Sequence, residues 1–496
     1  MKKLDEYRFW FIVGSQHLYG PEVLETVEAR AKEMCEWLNA SGRLPCKIVY
    51  RTTVKTPEDA REAVKAANFD DACAGIITWC HTFSPSKMWL EGLRLLQKPY
   101  LHFATQYNES IPDAEIDMDF MNLNQAAHGD REHGFIGARL GVARKIIAGW
   151  WKDERTAERI GDWMRVAAGA AFSRGLKVMR FGDNMRNVAV TEGDKMGVQE
   201  KLGWQVNTWP VGRLAETIAA VPDGDAAALV EEYRSRYAFD ATAEADAAAV
   251  LYQAKEEIAI KKMLDAEGCR AFTNTFEDLY GMEQLPGLAT QRLLEAGYGY
   301  GAEGDWKTAA LAAVVKAMAE GKTGGTAFME DYTYELSKGR ECILGAHMLE
   351  VCPSIAAGRP RVEVHPLGIG GKADPARLVF EGRAGEAIVL SLVDMGGRLR
   401  LICQDITAIE PICKMPKLPV ARIMWKPAPD LTNGIECWLR AGGAHHTVLT
   451  FDVSAEQMED WARIMGVEFV HITKDTTPRS LEKELFLADI AWRLRG

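Results

Sequence analysis

Hydrophobic and polar positions alternate along the first part of the chain in blocks that predict parallel strands joined by helices. Residues 8–13 form a compact apolar and aromatic run, which is typical of a strand buried on both faces. The run breaks at residues 14–20, and Pro21 then suits the first turn of a helix, where its missing N–H is not needed. One face of that helix would carry the apolar residues Val23, Val27, Ala31, Met34, Cys35 and Leu38. Further strands are predicted over residues 47–54, 75–80 and 100–105, so the order of elements predicts a doubly wound α/β domain.

A second segment of the same kind begins near residue 176, and the pattern changes again toward the carboxyl end. Residues 177–181 and 204–209 predict strands, and long helical stretches follow them. From about residue 361, short β-rich runs lie between Gly, Pro and Asp turns, which is typical of a barrel or sandwich: 361–364, 387–393, 399–403, 420–425 and 447–451. A final helix is predicted over residues 481–495. We therefore predict an α/β fold with two Rossmann-like domains, over residues 1–175 and 176–330, and a β-rich, barrel-like domain over residues 331–496.

Composition and charge exclude several classes of function. The net charge of -11 argues against a surface for polyanions, so no nucleic-acid partner is expected. We expect neither a signal peptide nor a membrane span, because the first apolar run is only five residues long and no run approaches the roughly 20 residues that a span needs. The ten cysteines are scattered without a Cys-x-x-Cys pair, which is typical of reduced thiols in a cytoplasmic protein. The glycine clusters match neither a dinucleotide fingerprint nor a P-loop, so no nucleotide cofactor is expected.

Candidate chemistry lies in polar residues that interrupt apolar or glycine-rich stretches. These residues are Glu303, Asp305, Glu330, Asp331, His347, His445 and His446. Carboxylates and imidazoles together would suit Mn²⁺, Co²⁺ or a similar divalent ion. Each residue also has a structural interpretation, as a helix N-terminal charge, an ion pair or a hydrogen-bonded core histidine. Their spacing matches no local metal motif, so the residues alone do not join into one site.

Several long motifs resemble those of bacterial L-arabinose isomerases. They are WFIVGSQHLYG at 10–20, HTFSP at 81–85, DMDFMNLNQ at 117–125, RFGDNMR at 180–186, GDWKT at 304–308, MEDYTY at 329–334, HMLEVCP at 347–353 and AGGAHHT at 441–447. The resemblance runs from end to end and is consistent with the three-part α/β and β-rich organisation. It implies an aldose–ketose isomerase that converts L-arabinose to L-ribulose, with D-galactose as a further candidate substrate.

The resemblance also implies a set of site residues. Glu303, Glu330, His347 and His446 are expected to ligate one divalent metal, usually Mn²⁺, with His445 in a structural role. Glu303 and Glu330 are expected to move protons between the first two sugar carbons through a cis-enediol. Substrate-lining positions implied by the same resemblance are Gln16, Leu18, Tyr19, Phe83, His128, Met185, Phe276 and Ile369. The family assembles as a hexamer, in which residues such as Gln16 and His128 reach the active site of a neighbouring subunit.

The chain departs from the family pattern at two positions, and other functions stay open. Ala104 stands where a second histidine is expected, and Cys80 replaces a more usual leucine, which bears on substrate preference. A related isomerase for another aldose, such as L-fucose, would share the architecture. A non-catalytic sugar-binding protein could also be built from paired α/β domains, although the carboxylates and histidines argue against it. A nicotinamide dehydrogenase lacks its glycine fingerprint here.

Overall fold

The computed structural model describes residues 2–495, and the chain divides into two compact units, Met1–Ala171 and Phe172–Gly496. No helix in the described part of the chain combines the length and apolar character needed to cross a membrane. The division of the chain into three domains stays a prediction.

The first unit is built on a parallel sheet of five strands. They are β1 (Arg8–Gly14), β2 (Lys47–Val54), β3 (Cys73–Cys80), β4 (Tyr100–Ala104) and β5 (Lys145–Ala148), in the order β2-β1-β3-β4-β5. All four pairings are parallel. Residues 9–14 of β1 and every residue of β3 are buried, as expected for strands covered on both faces.

Helices cover this sheet and begin where the sequence places helix-starting residues. They are α1 (Pro21–Ala40), α2 (Pro57–Phe69), α3 (Leu90–Leu95), α4 (Met118–Leu123), α5 (Ala126–Leu140) and α6 (Glu154–Ser173). Pro21 opens α1, and the Thr56 hydroxyl accepts a hydrogen bond from the Asp59 N–H at the start of α2. The apolar face predicted for α1 is buried from Val27 to Leu38, which confirms that element.

The second unit begins with another parallel sheet. The strands of this part of the chain are β6 (Lys177–Phe181), β7 (Gln205–Trp209), β8 (Ala238–Phe239), β9 (Ala271–Thr273) and β10 (Gly299–Gly301). The short strand β8 lies outside the parallel sheet. The sheet has the order β10-β9-β6-β7. The helices here are α7 (Lys195–Leu202), α8 (Val211–Ala219), α9 (Asp223–Arg236), α10 (Ala241–Ala245), α11 (Ala247–Glu267), α12 (Leu288–Glu295) and α13 (Trp306–Met318).

The described carboxyl-terminal region contains nine strands, six of which close into a barrel. They are β11 (Thr326–Glu335), β12 (Cys342–Ala346), β13 (Arg361–Val364), β14 (Ala376–Val379), β15 (Gly385–Asp394), β16 (Leu399–Ile409), β17 (Arg422–Pro427), β18 (His446–Thr450) and β19 (Glu468–Ile472). The order β15-β18-β11-β12-β17-β16 is closed by pairing of β15 with β16, and β19 adds to β16. The remaining strands β13 and β14 join β8 in a small separate sheet.

The last helices are α14 (Leu431–Ala441), α15 (Ala455–Met465) and α16 (Pro478–Arg495). The predicted fold class, two parallel α/β sheets followed by a barrel-like β region, is confirmed.

Candidate metal and active site

Glu303 lies in the short loop between the end of β10 and the start of α13. Its backbone has a φ of 58°, in the left-handed region that residues other than glycine rarely adopt. Backbone hydrogen bonds hold this loop: the Met185 N–H donates to the Glu303 carbonyl and the Gly304 N–H donates to the Asn274 carbonyl, both at 3.0 Å. A strained residue that its surroundings hold in place suggests a functional position.

The barrel strands bring Glu330 and two histidines toward the same place. Glu330 on β11 is paired with His446 on β18 and, on its other side, with Ala346 at the end of β12. Because directly opposite residues share a face of the sheet, the register places the Glu330 and His446 side chains together. His347 follows Ala346, and its Nε2 lies 3.8 Å from Glu330 Oε2. The His446 Nε2 lies 3.9 Å from Glu303 Oε2, so the structure brings all four predicted ligands together.

Aromatic rings surround the two imidazoles. The Phe328 ring packs edge-on against both, with centroid distances of 5.0 Å to His347 and 5.1 Å to His446. The Phe276 ring stacks on His347 at 6.2 Å, and the two imidazole centroids are 5.8 Å apart. Both histidines are buried. The polar groups therefore meet in an apolar setting, where electrostatic interactions are stronger than in water.

A buried carboxylate orients each imidazole through its Nδ1 atom. The His347 Nδ1 contacts Glu350 Oε2, and the His446 Nδ1 lies 3.2 Å from Asp305 Oδ2. Nδ1 donates its proton in each pair, which leaves Nε2 as a lone-pair donor. The His446 Nε2 is buried and has no hydrogen-bond partner within the described residues. Carboxylate–histidine pairs of this kind accompany most histidine metal ligands.

Asp305 is held by contacts beyond the histidine. It caps α13, because its Oδ1 accepts from the Thr308 N–H at 3.1 Å and its Oδ2 accepts from the Thr308 hydroxyl at 2.7 Å. The buried Lys307 ammonium lies 3.7 Å from Oδ1. Burial raises the pKa of the Asp305 carboxyl, but Lys307 and the hydrogen bond from His446 outweigh burial and lower the pKa to about 2. The carboxylate that faces His446 is therefore ionised.

Glu303 contacts a second histidine, His445. The His445 Nε2 lies 3.5 Å from Glu303 Oε2, and the hydrogen bond between them raises the pKa of His445 although burial lowers it. Burial raises the pKa of Glu303, but His445 and His446 outweigh burial, and the net pKa is lowered. Burial likewise lowers the pKa of His347, but Glu350 outweighs it, and the net pKa is raised. Glu303 is therefore ionised at neutral pH.

The donors present fit a divalent metal. The ligand atoms of Glu303, His445 and His446 all lie within 4.8 Å of one another, and Glu330 and His347 face this group from the barrel. Carboxylate oxygens and imidazole nitrogens are donors that Mn²⁺ and similar ions accept. The unpartnered Nε2 of His446 favours a metal over a purely structural hydrogen-bond cluster, because a buried polar atom without a partner is costly.

Three of the predicted substrate-lining residues lie in the second unit. The Met185 N–H donates to the Glu303 carbonyl, and Phe276 stacks on His347, so both adjoin the carboxylate–histidine cluster. Ile369 is partly exposed in the segment between β13 and β14. A Cβ at the adjacent Gly370 would lie 3.8 Å from the Phe276 carbonyl.

The other predicted substrate-lining residues lie in the first unit, in the segments of chain that follow β1, β3 and β4. They are Gln16, Leu18, Tyr19, Phe83 and His128. Gln16 precedes a 3₁₀ turn at His17–Tyr19, in which Leu18 is exposed. The Phe83 and His128 rings stack with centroids 4.2 Å apart, and His128 Nδ1 lies 3.2 Å from Gln125 Oε1. These loops stand at the carboxyl ends of parallel strands, where α/β sheets bind ligands.

Glu350 is a residue that the sequence analysis did not single out. It is fully buried, contacts the His347 Nδ1, and has its Oε1 3.3 Å from the Tyr300 hydroxyl. That hydroxyl in turn lies 2.7 Å from Asn274 Oδ1. The available signal was a lone charge three residues after His347, within an otherwise apolar run.

Comparisons with known proteins give the same family for every part of the chain. The family described as L-arabinose isomerase N-terminal domain matches residues 3–175, the central domain matches residues 177–321, and the C-terminal domain matches residues 325–468. An L-arabinose isomerase of Anoxybacillus flavithermus is 54% identical over 495 residues, with 99% of each chain covered. Those of Geobacillus stearothermophilus and Thermotoga petrophila are 53% and 51% identical, with 99% or more of each chain covered.

These matches cover the loops and strands that carry the carboxylate–histidine cluster. Glu303 lies within the match to the central domain, and Glu330, His347 and His446 lie within the match to the C-terminal domain. The chain belongs to the L-arabinose isomerase family and is an enzyme of the isomerase class.

Proposed function

We propose that this chain interconverts L-arabinose and L-ribulose at a divalent metal site formed by Glu303, Glu330, His347 and His446. The observation that carries the proposal is the pair of buried imidazoles, each with Nδ1 on a carboxylate and Nε2 facing a glutamate. The names of the full-length relatives support the substrate, and the donor set supports Mn²⁺ or Co²⁺.

His446, rather than His445, is the histidine that we assign to the metal. The His446 ring is fully buried and oriented by Asp305, and its Nε2 has no partner within the described residues. The His445 side chain is 35% exposed and its Nε2 already contacts Glu303. His445 therefore acts as a hydrogen-bond partner that keeps the Glu303 carboxylate ionised and in place.

The two glutamates divide the proton transfers of the isomerisation. A bound divalent cation supplies Lewis-acid polarisation of the sugar carbonyl. Glu303, whose pKa is lowered, accepts the proton from C2 of the open-chain aldose and returns it to C1. Glu330, whose carboxylate lies 3.8 Å from the His347 Nε2, moves the proton between O2 and O1. The intermediate between these transfers is a cis-enediol.

The walls of the site complete this chemistry. Phe328 and Phe276 pack on the histidine rings and exclude water from the reacting carbons. Gln16, Leu18, Tyr19, Phe83 and His128 bind the sugar from a neighbouring subunit of a homohexamer. This assignment rests on the family resemblance, which at Gln16, Leu18, Tyr19 and Phe83 is carried by the motifs at residues 10–20 and 81–85.

Replacement of each glutamate by glutamine tests the assignment. Glu303→Gln and Glu330→Gln keep the side-chain volume but remove the carboxylate, so we expect ketose formation from L-arabinose to fall by at least about 10³-fold. Glu335→Gln, a partly exposed residue on the same strand as Glu330, is the matched control and should retain native activity. Near-native activity in either site variant would contradict the assignment. A panel with D-galactose and L-fucose establishes which aldose is preferred.

Deuterium at C2 of the substrate separates proton transfer from a direct hydride shift. A proton held on Glu303 can exchange with water, so the account predicts partial loss of deuterium from C1 of the ketose. Complete retention at C1, measured by NMR of the product, would favour the hydride shift and remove the base role of Glu303.

A further inference from the structure

A cavity that is separate from the carboxylate–histidine cluster lies in the first unit, at the carboxyl ends of β4 and β5. Its volume is about 310 Å³, at the lower end of the range for small-molecule sites. Ala104 at the end of β4 and Gly149 just after β5 contribute to its wall. In parallel α/β sheets, ligands bind at this edge. None of the residues that line the cavity is among the substrate or metal residues assigned above.

Two amide groups in the lining have buried atoms that find no hydrogen-bond partner among residues 2–495. These atoms are the Gln106 Nε2, a donor, and the Asn108 Oδ1, an acceptor. The Asn108 side chain is fixed, because its Nδ2 donates to the Ser110 carbonyl at 2.8 Å. A fixed acceptor and a nearby donor that the protein leaves unsatisfied are groups that a ligand hydroxyl can satisfy on binding.

The other side chains of the cavity supply an acceptor, a hydroxyl and an aromatic surface. Asp130 lines the cavity and is oriented by His102, whose Nε2 lies 2.8 Å from Asp130 Oδ1. Thr105 adds a hydroxyl, and Trp150 adds an indole ring whose N–H donates to the Tyr107 carbonyl at 3.5 Å. Mixed donors and acceptors around an apolar ring suit a molecule with several hydroxyl groups and C–H faces.

The charges of the lining restrict the ligand further. The residues that line the cavity include Asp130 and Glu109 but no lysine or arginine. A phosphorylated or carboxylated sugar would meet uncompensated negative charge there. A neutral ligand meets no such penalty.

We propose that this cavity binds a neutral polyhydroxylated molecule, a free monosaccharide or an alditol, independently of the metal centre. Ala104 makes this possible, because its methyl group leaves space that a larger side chain would fill. This is the position at which the family resemblance leads us to expect histidine. The cavity therefore gives this chain a second sugar site, whose role does not depend on the proposed isomerase mechanism.

Calorimetric titration of metal-stripped full-length protein with ribitol tests the proposal. Ribitol has no carbonyl and cannot be isomerised, and removal of the metal weakens any binding at the catalytic centre. We expect saturable binding of one ribitol per chain. Ala104→Leu should abolish this binding because leucine fills the cavity, and Asn108→Ala should weaken it about tenfold because it removes the fixed acceptor.

Glu330→Gln is the control that separates the two sites. It alters the proposed catalytic centre and should leave ribitol binding unchanged, whereas Asn108→Ala should retain metal-dependent activity. If Ala104→Leu fails to fold, as judged by circular dichroism, Asn108→Ala carries the test. Absence of saturable binding by the native chain, or binding of native affinity in Asn108→Ala, would overturn the proposal. Loss of binding in Glu330→Gln would also overturn it, because the ribitol would then occupy the catalytic centre.

Discussion

Asp305 combines two functions in one carboxylate, since it caps α13 and orients the His446 imidazole. Asp305→Asn keeps an oxygen for the helix cap but loses the charge that holds the His446 Nδ1–H. We therefore expect Mn²⁺ affinity, measured by equilibrium dialysis, to fall by about 10- to 100-fold with little change in fold. Asp430→Asn, which alters the matching cap of α14, is the control and should leave the affinity unchanged. Equal affinities in both variants would mean that Asp305 does not orient a ligand.

The raised pKa of the Asp331 carboxyl leads us to expect that the stability of the protein depends on pH. Burial and the neighbouring Glu330 raise the pKa of this carboxyl from 3.8 to about 7. Between these values the folded state retains a proton that the unfolded chain has released, so this group lowers the free energy of unfolding as pH rises. Asp331→Asn removes that effect. Relative to the native chain, the free energy of unfolding of the metal-free variant should rise by about 2 kcal/mol between pH 4 and pH 7. This is half of the effect that the pKa shift alone would give, because the residue is partly exposed.

Urea-induced unfolding in the presence of a chelator measures this difference. A variant whose stability relative to the native chain is the same at both pH values would show that Asp331 ionises normally in the folded protein.

The site residues that could be predicted from the sequence lie in motifs shared with the family. A residue that acts by orienting another side chain could not be predicted. Glu303, Glu330, His347 and His446 are far apart in sequence, and only the family resemblance joined them before the barrel register placed Glu330 opposite His446. Glu350 escaped prediction because its role depends on a contact with His347. Single-residue patterns do not encode such a contact.

At the scale of elements, the approach of α13 to β10 fixes the Glu303 loop. A Cβ at Gly301 would lie 2.3 Å from the Asp305 carbonyl, and one at Gly299 would lie 2.1 Å from the Ala309 carbonyl. These glycines let the start of α13 pack directly on the strand, which confines the loop that joins β10 to α13. This packing and the backbone hydrogen bonds of the loop hold Glu303 at its positive φ.

Gly301→Ala tests this packing. The added methyl group must push the start of α13 away, so we expect a loss of about 1 to 3 kcal/mol in stability and a loss of activity. Gly358→Ala, where a Cβ meets open space, is the control and should change neither stability nor activity. Thermal unfolding and the ketose assay measure the two effects, and a Gly301→Ala enzyme as stable and active as the native one would contradict this account.

Elements with a clear apolar run or period could be predicted from the sequence, whereas several very short or mixed strands could not. The strand predicted over residues 8–13 is β1, and the final helix lies within α16. Strands β9 and β10 have three residues each, too few to show a period. Strand β11 passes from a buried half to an exposed half at Glu330, so its pattern does not alternate. Strand β10 leads to Glu303 and strand β11 carries Glu330. Both strands were missed because functional residues interrupt the regular pattern of apolar and polar positions.

At the scale of the whole molecule, the proposed sharing of active sites between subunits predicts complementation. Glu330→Gln subunits would lack a metal ligand of their own site. His128→Ala subunits would lack a side chain that binds the sugar in the site of a neighbouring subunit. Each homo-oligomer should be nearly inactive. When the two variants are mixed, unfolded and reassembled together, some sites should combine intact halves, and activity should return to roughly a quarter of native, the share expected for random pairing of subunits.

The control for complementation is Glu330→Gln reassembled with Glu303→Gln. Both of these changes lie on the same side of the proposed shared site, so no mixed site is complete and activity should stay low. Equal activity in the two mixtures would argue that one subunit supplies every catalytic group.

The measurement that tests the central claim most directly is ketose formation from L-arabinose by metal-stripped enzyme, with and without added Mn²⁺. The account predicts negligible L-ribulose without the metal and restored turnover with it, because Glu303, Glu330, His347 and His446 form the site that the metal occupies. Turnover that is equal with and without the metal, or no ketose in either sample from folded and assembled protein, would contradict the account.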